Sequence, residues 1–140
     1  MLSRSLAITL IISGTIFFVS SCLRNNKTDH ADKLPETVSF NFNIRPILSD
    51  KCFKCHGPDA NHREAHLRLD IRDSAYAALK EMKGAFAIVP GKPDQSELIK
   101  RISSSDISYM MPPPDAHLGM LSEYEKKLFK KWIQQGAKNN

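Results

Sequence analysis

The sequence predicts an all-α domain of short helices joined by long loops, and three observations carry that prediction. The clearest is the stripe Leu121, Tyr124, Leu128, Trp132 and Ile133, which recurs at helical spacing and stops at Gly136. The second is a pair of capping-box patterns, Ser122 with Glu125 and Asp94 with Glu97. The third is the shortness of every alternating run. Leu67-Arg68-Leu69-Asp70 reads as a brief extended segment, which is too little for a sheet.

The first residues stand apart from that domain. Arg4 precedes an apolar run from Leu6 to Val19, softened by Ser13, Gly14 and Thr15. This is the build of a secretory signal peptide over residues 1–21, and it is short for a transmembrane helix. Val19-Ser20-Ser21-Cys22 resembles the lipobox of bacterial lipoproteins. The resemblance implies cleavage before Cys22, lipidation of that residue and anchoring in a bacterial membrane, with the domain in the periplasm or outside. Plain signal cleavage nearby, with Cys22 a bystander, is the alternative. Residues 22–38 are polar and aperiodic up to Pro35, as expected of a flexible tether.

The domain is expected over residues 39–140. Phe40, Ile44, Ile47 and Leu48 give helical spacing around Pro46, and Gly57-Pro58 forces a turn. Residues 59–66 read as a polar loop. Ser74 to Lys83 reads as a helix with Ala75, Ala78, Leu79 and Met82 on one side. Ile88-Val89-Pro90-Gly91 runs into a turn. Asp94 then opens a helix with Leu98, Ile99 and Ile102 on its buried face, ended by Ser103-Ser104-Ser105. The prolines of Met110-Met111-Pro112-Pro113-Pro114 exclude a helix there.

The chemistry concentrates in Cys52-Phe53-Lys54-Cys55-His56. Cys-x-x-Cys-His is the attachment motif of c-type haem. Two thiols at this spacing reach the two vinyl groups on one edge of the macrocycle, and the next histidine lies under the iron. The expectation is therefore one covalently bound haem c on Cys52 and Cys55, with His56 as axial ligand to the haem iron. A zinc half-site would need more ligands, for which His62 and His66 are the candidates. A thioredoxin-like redox pair would want a βαβ context, which is missing. Cysteine arithmetic agrees with haem. Of three cysteines, two go to haem and Cys22 to lipid, and none is left over.

The sixth iron position has several candidates: Met110, Met111, Met82, Met120, His62, His66 and His117, or an open site. A Met thioether opposite His raises the potential of cytochromes c. Met111 is preferred because a rigid proline triplet follows it, although sequence alone separates it only weakly from Met110. Arg68, Arg72 and Arg101 could neutralise haem propionates, against the plainer reading of surface charge. Lys126, Lys127, Lys130 and Lys131 on the final helix read first as a solvated face. The sharper reading is a docking patch for an acidic redox partner protein. The net charge of +5 is modest, and the basic residues lack the motif context of a nucleic-acid binder.

Several short motifs then occur in order: Ile44-Arg45-Pro46-Ile47-Leu48, Cys52 to Ala60, Leu67 to Asp70, Ile88 to Gly91 with Ser96, Leu98 and Arg101-Ile102, Met111 to Pro114, and Trp132-Ile133 with Gly136-Ala137. Together they resemble the planctomycete-type cytochrome c domain over residues 40–137. The resemblance implies a small monohaem cytochrome c fold wrapped around one haem, with Met111 as distal ligand. With both axial sites filled, the leading expectation is a one-electron carrier between redox partners in the cell envelope, with no catalysis of its own. The competing expectation is a haem enzyme or small-ligand binder with an open or labile sixth site.

Overall fold

The structure is a computed structural model, and it describes residues 33–140. The expected signal peptide, Cys22 and the tether up to residue 32 lie outside the described residues. Among the described residues five α-helices follow one another: α1 (Arg45–Lys51), α2 (Phe53–His56), α3 (Arg72–Tyr76), α4 (Glu97–Ser103) and α5 (Glu123–Gln134). A π-turn at Phe40–Ile44 leads into α1, and 3-10 turns lie at Ala60–His62, Pro93–Gln95 and Pro114–Ala116. Among the described residues extended pairing is limited to two isolated bridges, Ala78 with Phe86 and Phe86 with Ser96. The domain is all-α, as expected.

The final helix forms as its pattern predicts. The Ser122 hydroxyl accepts from Glu125 N at 3.2 Å, and the Glu125 carboxylate accepts from Ser122 N at 2.6 Å, which completes the capping box. Gly136 ends the helix at φ +94°, a conformation that suits glycine. The apolar face of α5 buries Leu128, Phe129, Trp132 and Ile133. It packs against the π-turn, α4 and the Pro93–Gln95 turn. Phe40 and Phe129 flank Trp132 with ring centroids at 5.6 and 6.5 Å.

A seam of hydrogen bonds closes this side of the domain. The Gln135 amide accepts from Val38 N at 2.9 Å and donates to Glu36 O at 2.7 Å. Asn140 accepts from Phe40 N, Asn41 N and the Ser39 hydroxyl. Val38, which the composition groups with the tether, is only 2 % exposed, and Leu34 packs against the core.

Two helices differ from expectation. The one expected over Ser74 to Lys83 is only Arg72–Tyr76. Ala77 is already extended, and Leu79 N bonds to Ala85 O at 2.9 Å. The chain doubles back through Gly84 at φ +78°, so a pairing across this reversal replaces the helix that the apolar spacing suggests. The capping box expected at Asp94 and Glu97 does not form. Ser96 is the N-cap of α4 and Asp94 lies in the preceding 3-10 turn. The first amides of α4 are taken by the backbone: Glu97 N donates to Phe86 O and Leu98 N to Ala87 O, both at 3.0 Å. The buried Ser96 hydroxyl accepts from Val89 N and donates to Lys92 O, fixing the turn ahead of the helix.

Candidate functional site

The cysteine motif sits on a single helical turn. Cys52 N closes α1 on Leu48 O at 2.8 Å, and Cys55 N and His56 N both return to Cys52 O. Gly57 then permits a sharp exit, because a Cβ there would meet Phe53 O at 2.2 Å. The following loop is tied back onto the motif. Glu64 N donates to Cys55 O and Leu69 N to His56 O, each at 2.8 Å. Arg63 adds a brace, with its guanidinium on Gly57 O and Pro58 O. One four-residue turn is too short to hold its side chains alone, and these bonds do so instead.

Beside this turn lies a cavity of about 380 Å³. Cys52 and His56 form part of its wall, and Leu67, Leu69, Leu98 and Ile102 make much of the rest apolar. A smaller hollow of about 40 Å³ adjoins it, sharing Cys52, His56, Ile102 and Met111 and adding Cys55 and Pro112. The two hollows bring together all four residues expected at the site: Cys52, Cys55, His56 and Met111. The Met111–Pro112 peptide is cis.

The electrostatics follow from burial. Burial pushes the Cys52 thiol up to about 12, against the opposing pull of Lys51. Burial likewise lowers the His56 imidazole below its ordinary value, with the Glu64 backbone pulling the other way. The ring is therefore neutral at neutral pH, the form that binds a metal. His56 Nδ1 is buried, and the Glu64 backbone beside the ring does not complete a well-formed hydrogen bond to it. Such a group costs about 1–3 kcal/mol when left unmade, so it calls for an explanation.

The other sixth-position candidates separate clearly. Met82 also lines the larger cavity, but its sulfur accepts from Arg101 Nη2 at 3.5 Å. Met110 lines neither hollow, and His62, His66, His117 and Met120 are exposed. The His62 ring is paired with Asp59 at 2.8 Å. Of the three candidate propionate partners, Arg101 alone lines the cavity. Arg68 is bound by Asp70, and Arg72 lies over the Tyr76 ring. On α5, Lys126 pairs with Glu123 at 2.7 Å and Lys130 lies 3.6 Å from Asp94.

The family model for planctomycete cytochrome C matches residues 52–115. The match supports a planctomycete-type cytochrome c domain over those residues. The match runs from the first thiol of the motif to just beyond the Met111 loop, so it takes in the whole wall of the larger cavity together with Cys55, Met111 and Pro112 of the smaller hollow. No curated protein and no solved structure matches the chain.

A c-type cytochrome domain implies haem. The residues present fit it. An apolar cavity with a neutral imidazole, two thiols and a thioether at its border offers the soft and nitrogen donors that iron and a macrocycle require. The ring nitrogen without a well-formed hydrogen bond is a further sign that the site is built for a group beyond the polypeptide.

Glu97 and Arg101 line the cavity, and Tyr109, outside its wall, bonds to both; no sequence motif signals this grouping. Glu97 is 5 % exposed and accepts from both Lys100 and Tyr109. Burial alone would raise its carboxyl, but those hydrogen bonds outweigh it and hold the group below its ordinary value. Helical spacing alone put Glu97 in a cap, and its partner Tyr109 lies across a loop, out of reach of any local signal.

Proposed function

We propose that this c-type cytochrome is a monohaem, one-electron carrier. Cys52 and Cys55 hold one haem c through thioether bonds, and His56 and Met111 are its axial ligands. The observation that carries this reading is the convergence of those four side chains on two adjoining hollows. The bound haem would supply a one-electron couple. The chain's own residues keep the site apolar through Leu69, Leu98 and Ile102, keep His56 neutral by burial, and offer the Met111 thioether from a segment stiffened by prolines. With both axial positions filled the protein transforms no substrate, and a redox partner, acidic if it docks on the lysines of α5, takes or gives the electron. Cys22 carries lipid and anchors the domain to a bacterial membrane, in the periplasm or outside.

The optical spectrum tests the reading. A low-spin reduced form and a sulfur-to-iron band in the oxidised form are expected. Met111→Ala abolishes that band and lowers the potential, whereas Met110→Ala leaves both in place. A high-spin ferric spectrum in the unmutated protein would overturn the carrier and favour a haem enzyme or ligand binder with an open sixth site.

A further inference from the structure

The segment that presents Met111 is held to α4 by more than its own prolines. Met111 N donates to Arg101 O at 3.1 Å. One turn of backbone earlier, the Arg101 guanidinium carbon lies 4.5 Å from the Tyr109 ring centroid, and Nη1 donates to Tyr109 O at 3.3 Å. The Tyr109 hydroxyl donates to the Glu97 carboxylate, which is buried and receives a second hydrogen bond from Lys100 at 2.7 Å. The loop behind these contacts braces itself. Asp106 O accepts from Tyr109 N and Met110 N, and the Asp106 carboxylate accepts from Ser108 N.

These bonds share a direction. The Met111–Arg101, Tyr109–Arg101 and Tyr109–Glu97 contacts each tie a residue at or just before Met111 to a residue on α4, and α4 also supplies Leu98, Arg101 and Ile102 to the cavity. A buried, charged acceptor is a strong choice for such a tie. A hydrogen bond to a charged group is worth more than a neutral one, and stranding the carboxylate would be costly. A buried acid in a haem cavity is otherwise a poor choice, since it demands donors that the cofactor does not provide.

We propose that Glu97, Tyr109 and Arg101 form a positioning clamp that holds the Met111 thioether at the sixth iron position. The inference rests on the assignment of Met111 as axial ligand. Glu97 fixes the far end of the clamp, Tyr109 links it to the Met111 segment, and Arg101 holds Tyr109 from the cavity side while keeping Met82 occupied. None of the three need touch the iron. Their effect is on how often the thioether leaves it, because a distal site that opens more often binds an outside ligand more tightly.

Imidazole binding to the oxidised, haem-loaded protein reads this directly. The imidazole nitrogen takes the iron position that the Met111 sulfur gives up, the oxidation state stays the same, and the sulfur band disappears as the complex forms. Tyr109→Phe keeps the ring over Arg101 and removes only the hydroxyl. It is expected to tighten imidazole binding roughly tenfold, the factor that follows from losing one hydrogen bond to a charged group. Glu97→Ala should act in the same direction. Glu97→Gln keeps a carbonyl acceptor for Tyr109 and should restore most of the unmutated affinity. In a Met111→Ala background, Tyr109→Phe should change nothing.

Unchanged imidazole affinity in Tyr109→Phe overturns the clamp, as does an equal change with and without Met111. If Glu97→Gln is as damaging as Glu97→Ala, the hydrogen bond is not the agent and the clamp fails as well. Should Tyr109→Phe not accumulate with haem, the Glu97 pair decides the matter alone. Failure of the underlying assignment looks different: Met111→Ala itself would then leave both the sulfur band and imidazole affinity untouched.

Discussion

Trp132 and His56 each carry a ring nitrogen withdrawn from water, and they differ in what that nitrogen meets. Trp132 Nε1 donates to Lys138 O at 2.9 Å, while Phe40 and Phe129 flank its ring. His56 Nδ1 completes no well-formed hydrogen bond, and the ring borders a hollow. The same contrast runs through the two sides of the domain. On the α5 side the apolar face is sealed and Gln135 and Asn140 have their partners. On the cysteine side, Leu69, Leu98 and Ile102 turn apolar surface toward about 380 Å³ of open space. Apolar walls hold water poorly, so a ligand is the better filler. One side is completed by its own side chains and the other, on the reading proposed above, by the haem.

The contrast can be tested by removing what completes each side. Replacing both Cys52 and Cys55 by Ser should abolish covalent haem, read as loss of the cofactor from the denatured protein by mass spectrometry. Amide hydrogen exchange should then rise further over residues 57–87 and 104–119 than over α5. Equal loss of protection everywhere would show that the two sides are not separable. Trp132→Ala attacks the sealed side. It should destabilise the haem-loaded protein by about 3–5 kcal/mol in denaturant unfolding while leaving the sulfur band of the folded form in place. A lost band would mean that the core of α5 reaches into the site.

The smallest expected effect concerns the loop between the two sides. The Arg68 guanidinium beside Asp70 holds the Asp70 carboxyl below its ordinary value. A depressed carboxyl contributes stability above its unfolded-state pKa, and that contribution is lost as pH falls through the folded value. Asp70→Asn should therefore be less stable than the unmutated protein at neutral pH, with the difference vanishing on acidification. A difference that persists in strong acid would assign the effect to packing.

What could be read in advance follows the range of the interactions. The α5 helix was legible because its stripe, both members of its capping box and its glycine stop lie within one short stretch. The cysteine motif was legible because haem attachment chemistry needs residues that are adjacent. The helix expected over Ser74 to Lys83 failed because Leu79 pairs with Ala85 across a reversal that spacing cannot register. The cap expected at Asp94 failed for a similar reason, since the amides it would have served are bound by Phe86 and Ala87. At the site, the prolines singled out Met111, and the structure places it on the wall of both hollows. The separation of Met111 from Met82 depended on Arg101, whose contacts are made between elements.

The bonds between Asn140 and Ser39, Phe40 and Asn41 have a mechanical meaning. A pull on the chain ahead of Leu34 is met first by Leu34 against the core and by Gln135, which holds Glu36 and Val38, and only then by Asn140. The load path crosses the sealed side and bypasses Cys52, His56 and the Met111 segment. The domain can thus be tugged from its leading end without Cys52, His56 or Met111 bearing the strain.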